Sequence, residues 1–73
     1  MTKEEARKLM VTELSGACFE YWIADYMKNE EGKIKSKGKV EGIALVAQKL
    51  ELVSKEEIQM MFQEAKTQLP EQK

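Results

Sequence analysis

Ala6, Met10, Leu14, Ala17, Tyr21 and Ala24 recur at intervals of three and four along the first third of the chain. That period places them on one face of an α-helix, and Val11, Cys18 and Trp22 widen the stripe on one side. Thr2-Lys3-Glu4-Glu5 has the form of a capping box, in which the Thr2 hydroxyl accepts from the amide of Glu5 and the Glu5 side chain reaches back to the amide of Thr2. Glu4 and Glu5 also sit where the positive end of the helix dipole favours them. The pattern predicts one long helix from Thr2 to about Lys28. It runs through Gly16, because the stripe keeps its phase there although a helical Gly costs about 1 kcal/mol relative to Ala.

The densest stretch of this helix is residues 17–27, where only Glu20 and Asp25 are not apolar. It carries four of the five aromatic residues, the only Trp and the only Cys. Phe19, Ile23, Tyr26 and Met27 lie about 100° or more away from the main stripe. A helix that is apolar almost all round must be covered almost all round. Two short helices of the same chain cover one side, and the other side asks for a partner.

Asn29-Glu30-Glu31-Gly32-Lys33-Ile34-Lys35-Ser36 reads as a loop by composition, with Asn29 or Gly32 ending the first helix. A second helix is expected over about 37–50, with Val40, Ile43, Ala47 and Leu50 inward, Ala44 and Val46 at the edges, and Leu45 pointing away. Val53-Ser54-Lys55-Glu56-Glu57-Ile58 combines a capping box on Ser54 and Glu57 with a hydrophobic staple between Val53 and Ile58. A third helix is therefore expected over about 55–69, with Ile58, Met61, Phe62, Ala65 and Leu69 as its stripe and Met60 off it. Pro70 ends the order, and residues 70–73 are expected to fray. The whole is one small all-α domain: a long first helix packed on a C-terminal helical hairpin.

Composition narrows the functional classes. At 73 residues the chain holds a modest core, and domains of this size often add disulfides, metals or partners. Cys18 has no second Cys to pair with, and without His there is no ligand set for structural zinc. Packing or oligomerisation is left as the extra stabiliser. Twelve basic against thirteen acidic residues give no basic excess, which a dedicated nucleic-acid binder usually carries. No apolar run is long enough for a membrane span and the N-terminus does not read as a signal peptide, so a cytoplasmic, reducing location is expected, with Cys18 as a small buried hydrophobe.

No constellation points to catalysis. The commonest general base near neutral pH is missing, and Cys18 lacks a His to make it a thiolate. Gly32 and Gly38 lack the spacing of a phosphate-binding loop. The carboxylate pairs Glu4/Glu5, Glu30/Glu31 and Glu56/Glu57 fall at expected helix ends, where capping explains them. Residues 27–38 partly resemble the loop of an EF-hand through Asn29, Glu31, Gly32 and Ile34. Met27 and Gly38 stand where its first carboxylate and its bidentate Glu belong, so no calcium site is expected. No cofactor, metal or catalytic residue is assigned.

The leading expectation is a non-enzymatic helical interaction module, accessory or regulatory in role. It self-associates, as a dimer in the first instance, through Phe19, Ile23, Tyr26 and Met27, and has a protein partner. The alternative is a small transcriptional regulator using the 43–63 helix pair as a helix-turn-helix, with Lys33, Lys35, Lys37 and Lys39 on phosphates. Glu56 and Glu57 at the start of the would-be recognition helix count against it, since they repel phosphate.

Overall fold

The computed structural model describes residues 1–69, so the frayed tail expected for residues 70–73 lies outside the described residues. Three helices follow one another: α1 (Lys3–Tyr26), α2 (Glu30–Lys49) and α3 (Lys55–Thr67). Each begins on the side chain that local chemistry selects. Thr2 accepts from the amide of Glu5, Asn29 from that of Gly32, and Ser54 from that of Glu57 within a complete capping box. The all-α architecture and the first and third helices follow the expectation closely.

The second helix does not. It starts at Glu30, two turns earlier than its composition suggests, and absorbs the supposed lysine-rich loop. The turn before it is compressed into a Schellman ending on α1. The Lys28 amide donates to the Asp25 carbonyl, the Asn29 amide donates to the Ala24 carbonyl, and Lys28 takes a left-handed φ of 57°. Asn29 is therefore the first cap of α2 rather than the last residue of α1. The EF-hand-like segment is likewise helical from Glu30 onward.

The same ending recurs after α2. Glu51 has φ 56°, its amide donates to the Gln48 carbonyl, and that of Leu52 donates to the Ala47 carbonyl. This reversal turns Leu52 and Val53 into the core and leaves Leu50 exposed, opposite to the inward place expected for Leu50. Left-handed backbone costs an ordinary L-residue about 1–2 kcal/mol, and Gly escapes that cost at an entropic penalty of about 0.5–1 kcal/mol. Lys28→Gly is therefore expected to stabilise the fold by about 0.5–1 kcal/mol, read as a higher urea midpoint in circular dichroism. A midpoint that stays or falls would show that the turn carries no such strain.

Paired charges fix the helix directions. Asp25 meets Lys33 at 2.8 Å and Glu20 meets Lys39 at 3.3 Å, so α2 runs back along α1. The α3 contacts climb in the same sense as α1: Arg7 meets Glu57, Ser15 meets Met61, and Trp22 meets Phe62. The topology is up-down-up, and α1 is the common element, because α2 and α3 touch each other least. An open cleft bordered by Val40, Ile58 and Phe62 separates them. The long first helix packs on the two C-terminal helices as expected, and α2 and α3 each lean on α1.

Small residues line the buried seam between α1 and α2: Ala17 and Ala24 on one side, Ser36, Ala44 and Ala47 on the other. Small side chains let two helix backbones approach closely, and β-branched Val40 fills the middle of the α2 side. Leu14 and Cys18 form the fully enclosed centre, joined by Leu52, Val53, Ile58 and Ala65. Met10, Val11, Trp22, Met61 and Phe62 pack around it. The particle measures 43 × 21 × 19 Å, only about two helix diameters across its short axes, so α1 and α2 each keep a face toward water.

Candidate functional site

The outward face of α1 is the surface that departs most from an ordinary solvated helix. At about 100° per residue, Leu9, Thr12, Gly16, Phe19, Ile23, Tyr26 and Met27 fall within roughly 100° of circumference, and no charged residue interrupts them. The stripe is about 27 Å long at 1.5 Å per residue. Thr12, its only hydroxyl apart from that of Tyr26, donates to the Lys8 carbonyl at 2.9 Å and so spends its polarity on its own helix.

The four residues singled out from the sequence lie together on this face but differ in cover. Phe19 and Ile23 are half-buried. Neither is among the half-buried side chains that pack against the core. Tyr26 is 40% exposed and Met27 71% exposed. The structure adds exposed Leu9, Thr12 and Gly16 to the stripe. Leu9 is separated from Phe19 by ten positions, and only the absence of charge between them on that face links the two. That signal is present in the sequence, but the concentration of aromatics after Gly16 hides it. Gly16 is open: a Cβ placed there meets nothing within 4 Å. The stripe thus has a notch at its middle, one helical turn before the Phe19 ring.

The four lysines of the alternative reading are not brought together. On a helix, Lys33 and Lys37 point about 120–160° away from Lys35 and Lys39. Three of them already have carboxylate partners: Asp25 for Lys33, Glu31 for Lys35 and Glu20 for Lys39. Asp25 is the main reason the Lys33 ammonium holds its proton above the usual lysine range. Lys33 also lies over the Tyr21 ring, 5.7 Å from its centroid. Lys33 and Lys39 thus clip α2 to α1, while Lys35 pairs within α2.

Other polar chemistry is absorbed in holding α3. Arg7 donates to the Leu52 carbonyl at 2.8 Å and to Glu57 Oε2 at 2.6 Å, tying the start of α1 to the second turn and to the cap of α3. The Arg7 hydrogen bond comes first, and the Ser54 amide second, in holding the Glu57 carboxyl below its usual range. Trp22 Nε1 donates to the Phe62 carbonyl at 2.7 Å, and Tyr21, Trp22 and Phe62 form a three-ring cluster with centroids 4.8–5.1 Å apart. Lys66 caps the Trp22 ring at 5.0 Å. Cys18 is fully enclosed, and burial pushes its thiol pKa up, away from thiolate chemistry. Among the described residues no group of three or more acidic or Cys side chains is placed to hold a metal ion, and no helix is long and apolar enough to cross a membrane.

No family model, no curated protein and no solved structure matches this chain.

Proposed function

We propose that this protein is a helical interaction module that self-associates through the outward face of α1, in an accessory or regulatory role toward other proteins. The observation that carries the reading is the unbroken apolar stripe from Leu9 to Met27, opposite the face that packs on α2 and α3. An exposed apolar surface of this extent on a small domain marks a contact site. A second copy fits it on grounds of shape. In a two-fold antiparallel arrangement the Phe19 ring of each protomer stands level with the open Gly16 notch of the other, and Leu9 stands level with Tyr26 and beside Met27. The same patch on both subunits is what an isologous dimer requires.

Sedimentation velocity over a range of concentrations tests this. The wild-type chain should show a concentration-dependent mass above that of the monomer, and Phe19→Lys with Ile23→Lys should reduce that mass while circular dichroism stays helical. Gly16→Leu supplies a second variant whose folding is not in question, because Leu is the better helix former. It fills the notch and should weaken association at least tenfold, the equivalent of about 1.4 kcal/mol. A folded wild-type monomer at about 1 mM, a concentration at which even a contact worth about 4 kcal/mol is populated, would overturn the reading.

A further inference from the structure

α2 carries a second outward face that the α1 stripe does not account for. Val40, Ala44 and Ala47 turn toward α1. On the opposite side of the helix Ile34 is 71% exposed and Leu45 56% exposed. Gly38 and Gly42 stand between them on the same side, and a Cβ at either would meet nothing within 4 Å. A helix rarely keeps two glycines in its exposed interior, since each costs about 1 kcal/mol relative to Ala. Their gain is a shallow surface that a second backbone can approach closely, with one large apolar side chain at either end.

Two charges on the central line of this face are laid out for a copy of itself, with exposed Glu41 and Lys35 at its two edges. Glu31 precedes Gly38 by seven residues and Lys49 follows Gly42 by seven, so the two are equidistant from the midpoint of the face. Helical spacing puts both on its central line. When two α2 helices cross antiparallel about that midpoint, each Glu31 meets the other copy's Lys49, each Ile34 meets the other's Leu45, and Gly38 lies over Gly42. In a parallel pairing Glu31 would face Glu31 and Lys49 would face Lys49. Among the described residues neither charge has a strong partner: Glu31 has only a loose 3.8 Å contact with Lys35, both side chains being largely exposed.

We infer that the outward face of α2 is a second self-association surface, which takes another copy of this chain in antiparallel register. The inference is independent of the α1 reading, because the two faces lie on different helices and share no residue. Two distinct two-fold contacts on one protomer link more than two copies, so the wild-type assembly grows beyond a dimer.

The test uses the full chain carrying Phe19→Lys and Ile23→Lys, which removes the α1 stripe. Sedimentation velocity should still show a dimer in this background. Glu31→Lys should weaken it roughly tenfold or more, because two attractive pairs become two repulsive ones and like charges face each other. Glu31→Lys combined with Lys49→Glu should restore it, and added salt should weaken both the parent and the swapped pair. The swap separates docking from folding. Each single change opposes the α2 dipole, so a purely structural role makes the double variant the worst of the three. Gly38→Leu with Gly42→Leu gives a further readout: helix stability rises while the dimer is lost. A monomer at about 1 mM in the parent background, or a dimer indifferent to Glu31→Lys, would overturn the inference. Failure of the α1 reading alone looks different: wild type and the Phe19/Ile23 variant then share one mass, and that mass still answers to the charge swap.

Discussion

Leu14→Ala should cost about 3–4 kcal/mol, a large share of the stability of a domain this small. Leu14 is fully enclosed at the centre of the core, where α1 meets both the α2 seam and the residues that precede and open α3. Removing buried methyl groups loses their transfer free energy and leaves a cavity that rigid neighbours only partly fill. A domain of this length has about 4–11 kcal/mol of stability in total. One substitution therefore removes from about a quarter to nearly all of it. Leu9→Ala is the control, because Leu9 deletes the same atoms from an exposed position and should shift monomer stability by less than about 1 kcal/mol. Urea titrations followed at 222 nm, at a concentration where the mass is constant, measure both. If Leu14→Ala and Leu9→Ala cost the same, the core is not where the fold places it.

The next largest effect is expected from Trp22→Ala, at about 3 kcal/mol or more. Three contributions are lost together: ring packing against Tyr21 and Phe62, the Nε1 hydrogen bond to the Phe62 carbonyl, and the seat for the Lys66 ammonium. The damage should be local before it is global. α3 rests almost entirely on α1, since it meets α2 hardly at all. Hydrogen exchange should therefore accelerate first over residues 55–67, while the α1–α2 hairpin keeps its protection. Trp22→Phe retains a ring but not the donor, and should fall between wild type and Trp22→Ala. Equal acceleration across all three helices would show that α3 does not dock as a separate unit.

The chain's own wording was most legible where structure is local. Thr2 with Glu5 and Ser54 with Glu57 announce two helix starts within four residues each, and both are present. The three-and-four spacing from Ala6 to Ala24 placed the inner face of α1, and Ile58, Met61, Phe62 and Ala65 did the same for α3. Leu45 and Met60, which fall off their stripes, are exposed. The α2 start was missed because Gly32, Ser36 and Gly38 have the composition of a loop. Ser36 is helical and buried because its small side chain fits the α1 seam, and Lys33 and Lys39 hold that helix to Asp25 and Glu20. Leu50 is exposed and Leu52 buried because a left-handed Glu51 reverses the chain, and a non-Gly residue gives little notice of that conformation.

By itself, then, the sequence determined that there would be three helices, where two of them begin, and which faces of α1 and α3 turn inward. Those features rest on interactions between residues three or four apart, which any chain with these side chains makes. Only the tertiary structure decided that α1 is the shared support, that Lys33 and Lys39 clip α2 to α1, and that α1 and α2 each keep an apolar face outward. These depend on residues 8 to 50 positions apart, from Asp25 with Lys33 to Arg7 with Glu57, and on how much surface two partner helices can cover. Coverage is a property of packed volume, and no local pattern encodes it.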